Sequence, residues 1–369
     1  MSSLRHDVRM PVVAAAAWFG GLAAHGGGVL ALGLPVLLVL GGVVHRRAAG
    51  LLVGCAVACA GVVAAVLLRE AVVAHGVLPA LADERAVATL SGTVVSDPVV
   101  VEGRWGSQVV VRLRVEEVTA RGATHHLGTV VVVLGDPAWS ATALGSRVRT
   151  TGRLAPADEG EVGALVVGAR APVRIRGPDV WWRAAAAVRS SIRAAVADRP
   201  PPQRALVPAL VVGDDAGLAP ELEQDFRTTG LTHLTAVSGT NLTLVVGFLL
   251  LLARALRVRG RGLVVVGGLG IAGFVLLART EPSVLRAAAM GAVGLFALGA
   301  DGRRRGLRAL GVAVTGLLLV SPALAVSAGF ALSALATAGI VVLGPPLQDA
   351  LGRWLPAPLA GAVAVPFAA

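Results

Sequence analysis

The sequence contains no lysine and no tyrosine, and only two cysteines and 22 acidic residues in a chain of 369. Without lysine, all 33 basic residues are arginine, and the formal net charge is +11. A GC-rich coding bias accounts for an arginine-only alphabet dominated by Ala, Gly and Val, so the placement of the charge carries more information than its sum. Cys55 and Cys59 stand four residues apart inside an apolar run and share one helix face. Small-residue packing explains such a pair better than a disulfide or a metal site. There is no Cys/His cluster with zinc spacing, so the sequence indicates neither a structural metal nor a cofactor.

What the chain has in excess is apolar surface. Hydrophobic residues make up 55% of it and the mean hydropathy is +0.77, beyond the roughly 45–50% apolar content of a soluble globule. Apolar runs near the length needed to cross a bilayer, about 17–25 residues, fall in two groups. The first, within residues 1–70, comprises Pro11–Ala24, Val29–Val44 and Leu51–Leu68. Its opening run lacks a cleavage site and reads as retained, either a full crossing or half of a hairpin. The second group, within residues 204–369, comprises Leu231–Leu252, Gly262–Ala278, Val284–Ala300, Gly306–Val320, Ala323–Leu343 and, incompletely, Leu355–Ala369.

Between the groups, over residues 85–178, the period changes to two. Gln108–Val115, Thr129–Leu134, Arg147–Leu154 and Val173–Arg176 read as strands, several of them alternating apolar and polar residues, with breaks at Asp97-Pro98 and Asp136-Pro137. About five or six short strands over this length predict a small closed barrel of OB-like type. Arg112, Arg114, Arg147 and Arg149 recur on the polar faces, where they either track a phosphate backbone or form a solvated face offset by Glu102, Glu116 and Glu117. Trp105 and Trp139 are the aromatics available there for base stacking. Residues 181–200 follow as an amphipathic stretch, with Trp181, Trp182, Ala185, Val188 and Ile192 set against Arg183, Arg189 and Arg193. That pattern suits a helix in the membrane interface, ended by Pro200, Pro201 and Pro202.

The arginines set the orientation. Arg46 and Arg47 close one loop, Arg254, Arg257, Arg259 and Arg261 crowd another, and Arg303, Arg304, Arg305 and Arg308 fall in the next loop but one. Basic residues collect on the cytoplasmic side. One orientation satisfies all three clusters: N-terminus cytoplasmic, β module extracytoplasmic. The fold class is thus a polytopic α-helical membrane protein with an inserted OB-like β-barrel on its outer side.

The start of the second group is unusually polar. His233, Thr235, Ser238, Thr240, Asn241 and Thr243 precede or open an otherwise apolar helix. Polar groups in a span mark a pathway or site by default. They could bond across helices, with Ser238-Gly239 admitting close backbone approach, or hydrate a pore. A nucleophilic Ser238 activated by His233 is the competing chemistry, but a spacing of five separates the two around a helix axis and no acid stands beside them. Asp214 and Asp215 would repel a polyanion and suit a capping or hydrogen-bonding role.

Gly213-Asp, Glu221 to Phe226, the string Thr229-Gly-Leu-Thr-His-Leu-Thr-Ala-Val-Ser-Gly-Thr-Asn241, Ser283-Val-Leu-Arg286-Ala and Gly329-Phe-Ala-Leu-Ser333 together resemble the competence domain of the ComEC family of DNA uptake channels. The resemblance covers nearly the whole chain. It implies passage of one DNA strand through the polytopic domain, with the barrel outside. It also implies single-stranded DNA, the bilayer, other competence proteins and further copies of the chain as partners. Carried over by position, His233, Ser238, Gly239 and Asn241 sit at the conduit or its supporting turn. Arg286 either meets phosphate or snorkels and pairs with Glu281. The chain departs from the family in two ways. Many members have His where this chain has Asn241, and many continue into a metallo-β-lactamase-like domain whose His/Asp cluster is absent here, so no enzymatic activity is expected and the chain reads as truncated. An inactive remnant or an envelope scaffold is the alternative function; a transporter or an intramembrane hydrolase would require paired intramembrane acids or a facing Ser/His pair.

Overall fold

A computed structural model describes residues 9–27, 30–44, 48–103, 106–157, 163–214, 217–218, 220–229, 239–279, 282–296 and 302–354. The chain divides into two compact units, Met1–Leu67 with Ala236–Ala369, and Leu68–Thr235.

The first unit is helical. It contains α1 (Arg9–His25), α2 (Leu30–Val44) and α3 (Ala49–His75, up to Leu67), and later α8 (Gly239–Ala255), α9 (Arg261–Ala278), α10 (Pro282–Phe296), α11 (Gly302–Val320) and α12 (Ala328–Leu351). Among the described residues three helices are long and apolar enough to cross a membrane: Ala49–Ala71, Arg261–Ala278 and Ala328–Leu351. The expected run Ala323–Leu343 is split, because Ser321-Pro322 opens a separate 3-10 turn, Pro322–Val326, and Ser327 then caps α12 through the backbone N–H of Phe330. The run Leu355–Ala369 lies outside the described residues.

Small residues let these helices close up. Helix α1 buries Ala14, Ala17, Gly20, Gly21 and Ala24. A methyl at Gly20 would lie 2.5 Å from Cys59 Sγ, and one at Gly311 would lie 2.6 Å from the Met10 backbone. Cys55 and Cys59 are therefore packing residues, both buried and both free thiols. Trp18 donates from Nε1 to the Ala325 carbonyl at 2.8 Å and stacks obliquely on Phe330, ring centroids 4.9 Å apart, which fastens α1 to the start of α12.

The second unit is a β-barrel with helical attachments. Its strands are β1 (Val87–Val94), β2 (Val99–Gly103), β3 (Gly106–Ala120), β4 (Ala123–His126), β5 (Val130–Gly135), β6 (Arg147–Ala155), β7 (Leu165–Ala169) and β8 (Val173–Arg176). The order β1-β3-β5-β7-β6 closes because β1 also pairs with β6, making a five-stranded barrel; β2 and β4 extend β3, and β8 edges β6. All pairs are antiparallel except β5–β7. The four stretches read as strands from the sequence are all strands. Burial alternates residue by residue along β5 and β6, as a one-faced sheet requires.

Closure needs a corner, and the β1–β3 pair supplies it with a bulge: Ser91 and Gly92 face Glu117 and Val115, so Glu116 of β3 is the extra residue. A Cβ on Gly92 would lie 2.2 Å from the Arg114 carbonyl oxygen, which is backbone and cannot yield. Gly92→Ala is therefore expected to destabilise the barrel by about 1–3 kcal/mol or more, seen as a lower midpoint in chemical denaturation of the full chain in detergent. One end of the barrel is plugged by the Pro137–Ala141 turn, capped by Asp136 and inserting Trp139, which is 0% exposed.

Two sequence expectations change here. Trp139 is enclosed by the barrel and cannot stack on a nucleic-acid base, because a closed barrel needs a large apolar plug more than an external ring; Trp105 lies outside the described residues. In the helix after the barrel, α5 (Val180–Ala195), Ala185 and Arg189 are the buried residues, while Trp181 and Val188 are 68% and 45% exposed. The face carrying Arg189 is thus the packed one, held by carboxylates that a helix-periodicity reading cannot see.

Candidate functional site

Two constellations carry polar groups in positions that need a reason. The first links α5, α6 (Pro201–Val212) and the barrel. Gly213, in the left-handed conformation at φ 66°, ends α6 and turns the chain so that Asp214 points back. Asp214 is buried, and it accepts from Arg193 Nη2 at 2.7 Å and stands 3.2 Å from Arg189 Nη2. Arg189 also donates to the last α6 carbonyl, Val212 O, at 3.0 Å and meets Asp97, in the β1–β2 connection, at 3.4 Å. The Asp214 hydrogen bond raises the pKa of Arg193 further above its ordinary value, so this guanidinium stays charged throughout. Asp214 therefore ties α5 to α6 rather than capping a helix. Arg189 and Arg193, four residues apart with carboxylates to either side in sequence, were the available signal. Asp215 lies outside the described residues.

The second constellation lies in the helical unit. Helix α8 opens at Gly239, whose missing Cβ would touch Ala287 of α10 at 3.7 Å, and one turn on, Gly291 of α10 would touch Leu242 at 3.2 Å. The contacts advance in the same sense, so α8 and α10 run parallel and their N-termini share one end. Gly329, at the start of α12, lies against Arg286 of α10; a Cβ there would be 3.3 Å from Arg286 Nη2. The starts of α8, α10 and α12 thus lie at one end, where the start of α12 meets the Arg286 guanidinium. N-terminal peptide dipoles are positive, so this end combines three such dipoles with a cation. Arg286 is half-buried and its Nε is a buried nitrogen with no hydrogen-bond partner. Such a group accepts an anion readily.

Of the residues singled out from sequence, Gly239, Asn241 and Arg286 come to this end, with Gly239 exposed and Asn241 half-buried. His233, Ser238 and Glu281, the residue offered in sequence as a candidate counterpart of Arg286, lie outside the described residues. Thr243 donates to Gly239 O on its own helix at 2.9 Å, and Ser333 and Thr337 do likewise with Gly329 O and Ser333 O. Gly329 was quoted only as part of a motif, and its role as the space for Arg286 appears only when the helices are packed.

On the barrel, Arg112, Arg114 and Arg149 are exposed, and Arg147 is held by Glu116 at 2.7 Å, which Thr93 also binds. Among the described residues no group of three or more His, Cys, Asp and Glu side chains could hold a metal ion.

These features define a helical protein of membrane type with a closed β-barrel and polar helix starts meeting at one end that holds an arginine. Residues 210–369 match the family model described as Competence protein, so this part of the chain is a competence domain, in agreement with the resemblance to the ComEC family. No curated protein and no solved structure matches the chain. The competence family and the three apolar helices together mark a membrane protein with a role in DNA uptake.

Proposed function

We propose that the chain is a multi-pass channel of the cytoplasmic membrane that passes single-stranded DNA inward during natural transformation. The observation that carries this reading is the packing of Gly239 on Ala287 and of Gly329 on Arg286, which brings the starts of α8, α10 and α12 to one end within the competence domain. A phosphodiester entering that end meets three helix dipoles and a guanidinium whose Nε lacks a partner. Helix α8 carries Arg254 at its other end, and α9 and α11 open with Arg261 and with Arg305 and Arg308. A cytoplasmic position for those clusters makes the Arg286 end extracytoplasmic.

The barrel acts as an OB-type module. Its five-strand closure with a single parallel pair supports this, and Arg112 and Arg114 stand exposed on β3, in the strand region OB modules use for oligonucleotides. His233 and Ser238 precede the α8 start and complete the conduit. The residues bind and guide DNA and perform no covalent step.

Uptake of labelled DNA tests the proposal. Replacing His233, Ser238 and Asn241 together by Ala, or Arg286 by Gln, is expected to lower transformation by about tenfold to a hundredfold, the equivalent of a lost hydrogen bond to a charged group. Normal uptake by both variants at normal membrane abundance overturns the conduit assignment and leaves a scaffold role.

A further inference from the structure

The corner where β8 passes into α5 encloses a cleft of about 570 Å³ lined by Arg174, Arg176 and Arg183 together with Gly177, Pro178, Asp179 and Val180. Three guanidiniums face one carboxylate. Asp179 reaches only Arg176, at 3.4 Å, with both side chains mostly exposed, so the pairing is weak and the cleft keeps a positive excess. Asp179 is also the N-cap of α5 but makes no side-chain cap hydrogen bond. The first N–H groups of α5 therefore add their dipole to the same wall.

The apolar residues beside these arginines decide what the cleft is for. On β8, Val173 and Ile175 alternate with Arg174 and Arg176 and are 67% and 49% exposed, so both faces of this short edge strand are open, one apolar and one basic. On α5, Val180 and Trp181 are 58% and 68% exposed. A solvated strand that binds only a polyanion has no need of an exposed Val, Ile and Trp at its rim. An interfacial element does, because its apolar side chains enter the acyl boundary while arginines and tryptophan sit at the headgroup level.

We propose that this cleft is a binding site for the phosphate of an anionic phospholipid headgroup, by which the β8–α5 corner holds the barrel unit on the bilayer surface. Arg174, Arg176 and Arg183 are the phosphate ligands, and Trp181, Val173 and Ile175 are the apolar anchors. The part of α5 that meets the lipid is its exposed first turn, Val180 and Trp181, ahead of Ala185 and Arg189, which are packed within the protein. The site rests on the membrane reading of the chain but not on DNA passage. Arg112, Arg114, Arg147 and Arg149, offered above to nucleic acid, are a separate set.

The experiment is hydrogen exchange on the full chain in nanodiscs, read over residues 173–183. Discs of phosphatidylcholine with phosphatidylglycerol are expected to slow exchange there by about tenfold or more relative to phosphatidylcholine alone, since each basic residue at an anionic surface contributes about a fivefold effect. The difference should vanish in the Arg174→Gln, Arg176→Gln, Arg183→Gln variant. It should shrink in Trp181→Ser. Unchanged exchange at Val111 and Leu113 in the barrel core certifies that each variant is folded. Equal exchange in the two kinds of disc overturns the proposal. So does equal protection in phosphatidylcholine discs by a single-stranded oligonucleotide, which would assign the cleft to nucleic acid, or by inorganic phosphate, which would make it a free-anion site. Failure of DNA uptake in the channel variants leaves these outcomes untouched.

Discussion

Replacing Asp214 by Asn is expected to loosen the α5–α6 connection by about 3–5 kcal/mol. Asp214 and Arg189 have side chains only 2% and 5% exposed. Removing the carboxylate charge leaves the buried Arg189 guanidinium facing Asp97, itself partly exposed, at 3.4 Å. The penalty arises from that uncompensated charge more than from the lost attraction. Two comparisons isolate the cause. Arg193→Gln removes a side chain that is 56% exposed, so it should cost about 1 kcal/mol or less. A double replacement, Arg189→Met with Asp214→Leu, removes both buried charges and should recover most of the loss, because a buried ion pair is often replaceable by apolar residues of similar volume. Hydrogen exchange over residues 180–212 of the full chain reads all three. A double variant as damaged as Asp214→Asn would show that the geometry of the pair, not its charge balance, holds the helices together.

Trp139→Ala is expected to cost about 3–5 kcal/mol in the barrel. The ring is fully enclosed and lies directly over Gly135, where a Cβ would fall 2.1 Å from its Cδ1. No neighbouring side chain can fill the space it leaves. Its Nε1 donates to Arg170 O at 3.1 Å, an acceptor shared with Thr150 Oγ1 at 2.8 Å. Trp139→Phe should therefore cost far less, about 1 kcal/mol for the donor, because Arg170 O keeps a second partner. The readout is slowed-exchange protection at Val111, Leu113 and Val133, which line the same core. If both variants lose protection equally, the hydrogen bond rather than the volume closes the barrel end.

Both effects lie in features the sequence did not disclose, and the reason is the same. Period-two alternation identified β3, β6 and β8, because a strand with two unlike faces shows it in every second residue, and β5 stood out as a run of valines. It missed β1, whose buried positions include Ala88 and Gly92 and so give little apolar contrast, and β7, whose segment is a short apolar run without period. Which strand pairs with which depends on contacts between residues far apart in the chain, so closure through β1–β6 and the burial of Trp139 had no local trace. Arg189 illustrates the same limit: in sequence an arginine on a helix reads as solvated, and only Asp97 and Asp214, 92 and 25 residues away, make its burial tolerable.

The candidate conduit divides in the same manner. The ordered string from Thr229 to Asn241 and the Ser283–Ala287 stretch were legible, because polar residues opening apolar runs are costly and therefore conspicuous. That Arg286 meets Gly329, and that α8 and α10 run parallel, follows only from packing.

By itself, then, the sequence determined the apolar runs, the change to a β module over residues 85–178, the placement of the arginine clusters and the resemblance to a competence family. Each of these is a pattern of composition or period along the chain. Only the tertiary structure decided that the barrel closes on Trp139, that Arg189 faces inward onto carboxylates, and that the starts of α8, α10 and α12 lie at one end with Gly329 against Arg286. Those depend on where distant segments meet, and the free energy that fixes them comes from burying groups against partners that no local window contains.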